Sequence, residues 1–199
     1  MFILIFTLFL CKLFHDTMQK RKITELNRIS VEEFQSKTKL PLVVILDNIR
    51  SLHNIGAIFR TCDAFLIEEI YLCGITATPP NAEIHKTALG AENTVKWVYF
   101  ESIMDAIRQL QTKGYSVFAV EQVKQSIPLN ELKIDVTKKY AIIVGNEVKG
   151  VQQVAVDMCN GAIEIPQFGT KHSLNVSIAA GIVIWDLVKE LSTSQSERG

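Results

Sequence analysis

From residue 42 onward, short apolar segments alternate with segments of helical periodicity, and this alternation constrains the fold more than any other feature of the chain. Residues 42–46 form a continuous apolar run between Pro41 and Asp47, which is typical of a strand buried on both faces of a parallel sheet. Residues 54–66 place their apolar side chains on one stripe of a helix. Strands separated by helices indicate an α/β fold, a parallel sheet flanked by helices on both faces.

The same two patterns recur along the rest of the chain. Residues 19–39 are polar with scattered apolar positions, which predicts a short helical lead-in. Further strands are predicted at 69–72, 95–100, 115–120, 140–144 and 162–165, and further helices at 82–90, 101–112, 150–158 and 174–191.

Length and composition are those of one globular domain. The chain has 199 residues, of which 48% are hydrophobic and 21% charged, and its 21 basic and 21 acidic residues cancel. A nucleic-acid surface would therefore have to be a local patch. The four cysteines have no CxxC spacing, which predicts reduced thiols of a cytoplasmic protein and neither a zinc site nor a disulfide framework. The four histidines suggest no metal site either; they are His15, His53, His85 and His172.

The first ten residues are unusual. Residues 2–10 form an apolar head that is too short to span a bilayer, which needs ~20 apolar residues. The head also lacks a basic n-region and a small-residue cleavage site. We expect translation to start at Met18, and a signal peptide or anchor is the alternative. The predicted organisation is an N-terminal segment at 1–39, one domain at 40–192 and a polar tail at 193–199.

The first of three motifs, Asn54-Ile55-Gly56-Ala57-Ile58-Phe59-Arg60-Thr61, opens the helix that follows the first strand. Gly56 costs ~1 kcal/mol relative to Ala inside a helix. Arg60 lies one turn later on the same face, so we expect its side chain to pass over the space that Gly56 leaves empty. A purely structural interpretation makes Asn54 a helix cap and pairs Arg60 with Asp63.

The second motif, Val144-Gly145-Asn146-Glu147-Val148-Lys149-Gly150, directly follows a predicted strand. Two glycines around Asn146 and Glu147 suit a tight loop whose backbone approaches a ligand. Val151 and Gln152 stand where a phosphate-binding loop needs Lys and Ser or Thr, so an NTP-binding loop is disfavoured. A simple strand-to-helix turn with a surface glutamate is the alternative.

The third motif begins with Ile165-Pro166-Gln167 and ends with Ser173-Leu174-Asn175-Val176-Ser177. Pro166 ends the strand ladder, and Ser173 or Asn175 could serve only as helix caps. The helix that follows is apolar almost all round, which predicts burial on several sides. Residues 179–181, Ala-Ala-Gly, would let another backbone come close, as at a subunit interface.

Together the three motifs, in this order, resemble the SpoU branch of the SPOUT RNA methyltransferases over residues 40–192. The resemblance implies a parallel sheet with a C-terminal trefoil knot, a homodimer and S-adenosylmethionine as cofactor. It implies catalytic roles for Asn54, Arg60, Glu147, Ser173 and Asn175, with Glu147 helping to organise Arg60, and a cofactor pocket at Val120, Gly145, Ile165, Ser173 and Leu174.

The activity implied is direct methyl transfer to a ribose 2′-hydroxyl, without a metal. Whether Arg60 would act as a base or as an electrostatic clamp stays open, although a guanidinium is protonated at any ordinary pH. Transfer RNA is the expected substrate, with ribosomal RNA or a non-catalytic RNA-binding paralogue as alternatives. A dinucleotide-dependent oxidoreductase is disfavoured because no GxGxxG follows the first strand. The expected RNA contacts are Arg50, Arg60, Lys149, Lys171 and His172.

Overall fold

The computed structural model describes residues 19–26 and 28–196. The apolar head at 2–10 and the start expected at Met18 lie outside the described residues, as do the last three positions of the predicted tail.

Seven parallel strands form one sheet in the order β3-β2-β1-β6-β4-β7-β5. All six predicted strands are confirmed. The seventh, β5, has only two residues, which is too short to carry an apolar pattern. The strands are β1 (Leu40–Asp47), β2 (Ile67–Cys73), β3 (Trp97–Phe100), β4 (Tyr115–Val120), β5 (Ile127–Pro128), β6 (Lys139–Gly145) and β7 (Gly161–Glu164).

Seven α-helices connect these strands within the described part of the chain. The lead-in helix and the five longer helical segments are confirmed, with shifted ends. The segment predicted at 82–90 ends early, because Leu89 and Gly90 take positive φ angles of 53° and 98° and a second short helix follows. The helices are α1 (Val31–Ser36), α2 (Leu52–Ala64), α3 (Ala82–Ala88), α4 (Ala91–Thr94), α5 (Ile103–Thr112), α6 (Gln153–Met158) and α7 (Val176–Ser196), and single 3-10 turns lie at Ile23–Glu25 and Leu129–Glu131.

The central strand β1 divides the core into two layers. Leu42, Val44 and Leu46 point into the layer that contains α2 and α7. Val43 and Ile45 point into the layer that contains α5 and α6. Each of these five side chains is at most 1% exposed, so the predicted α/β fold with helices on both faces of the sheet is confirmed.

Helix α7 packs on the sheet along one side only. Val183 and Ile184 are fully buried. On another side Ile178, Ile182 and Trp185 are 56%, 38% and 56% exposed. The helix predicted to be buried on several sides thus keeps one apolar stripe open in a single chain. Across residues 19–26 and 28–196, no helix has both the length and the apolar character needed to cross a membrane.

Candidate active site

A cavity of about 640 Å³ lies where β4, β6 and β7 end. Because all strands are parallel, their carboxyl ends meet at one edge of the sheet, which is where open α/β proteins bind ligands. The loops after these strands and the first turn of α7 form the walls. Every residue that the sequence assigned to a cofactor lines this one cavity, namely Val120, Gly145, Ile165, Ser173 and Leu174, and so do Glu147, Lys149 and Asn175.

The cavity suits a nucleoside-sized ligand. Its volume lies within the ~300–1,000 Å³ range of small-molecule sites. Val144 and Ile163 give it an apolar floor, and Glu121 and Glu164 add carboxylates to its lining. The lining is thus mostly polar with apolar residues among it, a mixture that can hold a hydroxylated sugar and a flat base together.

Glu147 joins the second motif to the first. One carboxylate oxygen, Oε2, accepts a hydrogen bond from the backbone N–H of Arg50 at 3.0 Å. The other, Oε1, accepts from the Ser51 backbone N–H and from Nδ2 of Asn54, both at 3.0 Å. The carboxylate therefore holds the β1–α2 loop and the Asn54 amide in one position.

These hydrogen bonds set the charge state of Glu147. Partial burial opposes ionisation, but the backbone donors of Arg50 and Ser51, together with the Asn54 amide, outweigh it and lower the pKa of the carboxyl below its ordinary value. Glu147 is thus a carboxylate, and so a pure acceptor, at neutral pH.

Asn175 connects the third motif to Asn54 of the first motif. Its Nδ2 donates to Oδ1 of Asn54 at 3.1 Å. Its Oδ1 accepts from the backbone N–H groups of Ser177 at 2.9 Å and Ile178 at 3.4 Å, at the start of α7. Asn175 is therefore a helix cap, as the structural interpretation held, and also a partner of Asn54. We call Asn54, Glu147 and Asn175 the polar triad.

A short closed loop carries Glu147. Asn146 and Gly150 bond to each other through both backbone groups, at 3.0 and 2.8 Å. The Asn146 side chain donates from Nδ2 to the Asn48 carbonyl at 2.7 Å and accepts at Oδ1 from the backbone N–H of Val148 and Lys149. A Cβ on Gly145 would lie 2.2 Å from the Gly150 carbonyl carbon. Gly145 is thus needed for packing of this loop as well as for the cavity wall.

A buried carboxylate that the sequence analysis did not select ties the same loops together. Asp47 has no exposed surface. It accepts hydrogen bonds from the Gln152 backbone N–H at 2.9 Å, from Nε2 of Gln152 at 2.7 Å and from Nδ2 of Asn48 at 2.8 Å. The sequence did contain a signal for this residue. An aspartate that ends an unbroken apolar run is expected to be buried, and a buried carboxylate needs hydrogen-bond partners.

Replacing Gly150 by Ala should destabilise this loop. Gly150 has a φ of +67°, and an added Cβ would lie 2.1 Å from Oε2 of Glu121, which accepts from the Val151 N–H. We expect a loss of about 1–3 kcal/mol in the free energy of unfolding, measured by urea denaturation. Gly169→Ala is the matched control, since nothing lies within 4 Å of its added Cβ and its φ is not positive. An equal loss in both variants would contradict the prediction.

Two expectations for the first motif are wrong. The cap of α2 is Ser51, whose side chain accepts from the Asn54 N–H, so Asn54 lies inside the helix. The space beside Gly56 is filled by α3, because an added Cβ would lie 2.3 Å from the Ile84 carbonyl oxygen. The side chain of Arg60 therefore does not pass there.

Arg60 lies on the exposed side of α2, outside the polar triad. Within the described residues no hydrogen bond or ion pair joins it to Glu147 or to Asp63, whose Oδ1 accepts from Thr94 at 2.6 Å. Arg60 is six positions after Asn54 in the helix, a rise of about 9 Å. Glu147 therefore does not hold Arg60 directly by a hydrogen bond or an ion pair.

The other predicted RNA contacts are exposed side chains of loops at this edge. Arg50 precedes α2, Lys149 lines the cavity, and Lys171 and His172 follow β7. The His172 carbonyl accepts from Nε2 of Gln122 at 2.9 Å, which ties the loop after β7 to the loop after β4. Among the described residues no group of three or more His, Cys, Asp or Glu is arranged to hold a metal ion.

A family model matches most of the chain. The SpoU rRNA Methylase family covers residues 41–185, from the first strand to the middle of α7. This range contains all three motifs and every residue of the polar triad.

Individual relatives show the same similarity. A tRNA (guanosine(18)-2′-O)-methyltransferase of Thermus thermophilus is 33% identical over 173 residues, which are 85% of this chain and 86% of that one. The crystal structure of a TrmH/SpoU tRNA modifying enzyme of A. aeolicus superposes with a TM-score of 0.73 at 27% identity and covers 83% of this chain and 82% of the other. An AdoMet-bound rRNA methyltransferase from Sinorhizobium meliloti superposes with a TM-score of 0.70 at 28% identity, covering 82% and 62%.

Proposed function

The chain belongs to the SpoU rRNA Methylase family, and from that premise we propose that it methylates a ribose 2′-hydroxyl of transfer RNA with S-adenosylmethionine. The observation that carries the proposal is the meeting of three distant motifs, as Asn54, Glu147 and Asn175, beside a nucleoside-sized cavity. Retention of all the motif residues, Asn54, Arg60, Glu147, Ser173 and Asn175, argues against a non-catalytic paralogue, since loss of activity usually removes some of them.

The cavity residues would hold the cofactor. S-adenosylmethionine supplies a methyl group already activated by a sulfonium, so no metal is needed for the transfer. Val144 and Ile163 can pack against the adenine, and Glu121 and Glu164 offer acceptors for sugar hydroxyls or the amino group. An AdoMet-bound relative with the same fold supports this assignment.

The polar triad would position the acceptor ribose. Glu147 fixes Asn54, and Asn54 fixes Asn175, so the site is organised before RNA arrives. Ser173 lines the cavity beside Asn175. Arg60 stays protonated. Because it lies outside the polar triad, it would act as the clamp on a phosphate of the substrate and so hold the acceptor ribose in place.

Transfer RNA is the substrate we favour. The two relatives named as tRNA enzymes align with more than 80% of this chain and more than 80% of their own length. The exposed cations of the site are the expected phosphate contacts. We also propose that the enzyme acts in the cytoplasm. Ribosomal RNA is the second candidate, because a similar fold is found in an rRNA methyltransferase.

We also propose that the enzyme is a homodimer through α7. Ile178, Ile182 and Trp185 form an apolar stripe on this helix, and an added Cβ on Gly181 would meet nothing within 4 Å. An open stripe with a glycine lets a second helix approach closely, and apolar stripes of this kind mark protein interfaces.

Replacing Trp185 by Glu should convert the dimer to a monomer, because a charge would be buried in an apolar interface. Sedimentation at micromolar concentration measures the change. Val31→Glu is the control, since Val31 is also an exposed apolar residue of a helix, at 43%, but lies on α1. Unchanged sedimentation of Trp185→Glu would place the interface elsewhere.

A direct assay tests the proposed function. Purified protein is incubated with labelled S-adenosylmethionine and separate pools of transfer and ribosomal RNA, and the methylated ribose is mapped. Label on a 2′-oxygen of tRNA is the expected result. Label only on ribosomal RNA would establish the second candidate, and no label in either pool despite cofactor binding would favour a non-catalytic RNA-binding protein.

A further inference from the structure

One aromatic side chain of the described chain is fully open to solvent. Phe168, on the loop between β7 and α7, is 97% exposed. The other phenylalanines in the described ranges are buried or packed against the core; they are Phe34, Phe59, Phe65, Phe100 and Phe118. The ring of Phe168 is therefore free to contact a ligand.

The loop that carries this ring borders the cavity. Gln167 and Ser173 both line the cavity, so residues 168–172 join two points on its wall. Phe168 directly follows Gln167, and its Cα is therefore about 3.8 Å from that of a cavity residue. That distance is small compared with a nucleotide, so a base whose ribose enters the site can reach the ring.

Positive charge accompanies the ring. Lys171 and His172 are exposed on the same loop, and Lys149 lines the cavity. None of the three forms an ion pair with another described residue. An aromatic ring beside unpaired cations suits an unstacked nucleotide, whose base stacks while its phosphates are neutralised.

We propose that Phe168 stacks on the base of the nucleotide that receives the methyl group, with Lys171 and His172 on the adjoining phosphates. This inference rests on the proposed function. A ribose 2′-hydroxyl that must reach the methyl group of a cofactor held in this cavity requires its nucleotide to leave the RNA stack. Stacking on Phe168 replaces part of the stacking energy that the nucleotide loses when it leaves the RNA. The aromatic ring can stack on any base.

The test compares Phe168→Ala with Phe168→Tyr. Stacking predicts that Ala raises the KM for RNA about 5- to 100-fold, leaves the affinity for S-adenosylmethionine unchanged, and that Tyr restores the wild-type KM. Val136→Ala is the control, because Val136 is an exposed apolar residue at 36% in the loop that enters β6 at the opposite edge of the sheet. A KM for Phe168→Ala equal to that of the control would overturn the proposal.

An abasic substrate identifies the partner of the ring. RNA without the base at the mapped ribose should bind wild-type protein more weakly, and Phe168→Ala should then cause no further loss. An equal loss on intact and abasic RNA would overturn the proposal, as would a changed oligomeric state of Phe168→Ala, which would make the ring an interface residue. If wild-type protein methylates no RNA, the proposed function fails; stacking is then judged by equilibrium RNA binding, where unchanged affinity of Phe168→Ala overturns it.

Discussion

Arg60→Ala should abolish most methyl transfer while leaving cofactor binding nearly intact. Arg60 is an exposed cation of α2 without a bonding partner among the described residues, so its charge is available to substrate. Removing a clamp that holds the substrate in line for transfer costs about 10²-fold in kcat. Single-turnover transfer to RNA and equilibrium binding of labelled S-adenosylmethionine measure the two effects separately.

Arg60→Lys distinguishes the two chemical roles left open for this residue. A clamp needs positive charge, which Lys keeps, although it loses the bidentate fork of Arg. A clamp therefore predicts partial recovery of transfer by Lys. Arg108→Ala is the matched control, because Arg108 is also an exposed helical arginine, paired with Asp105 on α5 at 2.9 Å. A large loss of cofactor affinity in Arg60→Ala would show that its role has been misplaced.

The sheet and its helices could be predicted because their signals are local. A buried strand such as β1 is a continuous apolar run, and the parallel arrangement follows from the helices between strands. The rule that ligands bind at the carboxyl ends of strands then predicted which loops meet. Glu147 and Asn54 follow this rule, because they are hydrogen-bonded to each other although they are 93 positions apart in the sequence.

Local sequence patterns could not predict the contacts between segments that are far apart in the chain. Nothing near Gly56 in the sequence indicates that α3 would fill the space beside it. The bond from Gln152 to Asp47 joins residues 105 positions apart. Likewise, the all-round apolar pattern of α7 could not show which stripe stays open, since that depends on how the helix sits on the sheet. The predicted trefoil knot stays a prediction.

The loops around the site form one mechanical unit. The side chain of Asp47, the last residue of β1, accepts a hydrogen bond from Gln152, and the carbonyl of Asn48 accepts one from Asn146 in the second motif. Asn48 also accepts, at Oδ1, from the Ile75 N–H after β2. Because Glu147 in turn holds the β1–α2 loop, cavity and polar triad are fixed to one another by hydrogen bonds. A site organised in this way spends little of its binding energy on ordering.

Glu147→Gln should disrupt the polar triad at neutral pH. A carboxylate accepts from all three of its donors, whereas the Gln amide would turn N–H groups toward one of them. We expect a loss of about 10²-fold in kcat and about 1 kcal/mol in the free energy of unfolding, the usual net contribution of a hydrogen bond. Transfer kinetics and urea denaturation measure these effects.

The pH dependence gives the sharper test. The hydrogen bonds hold the pKa of Glu147 below its ordinary value of 4.5. A depressed carboxyl pKa contributes stability that is fully present above that ordinary value and is lost as pH falls through the lower, folded-state pKa. The stability difference between wild type and Glu147→Gln should therefore be constant at neutral pH and shrink below pH 4.5. Glu131→Gln, at an exposed glutamate in the turn after β5, should show no such trend; a constant difference down to pH 3 for Glu147→Gln would mean that its charge does not hold the polar triad together.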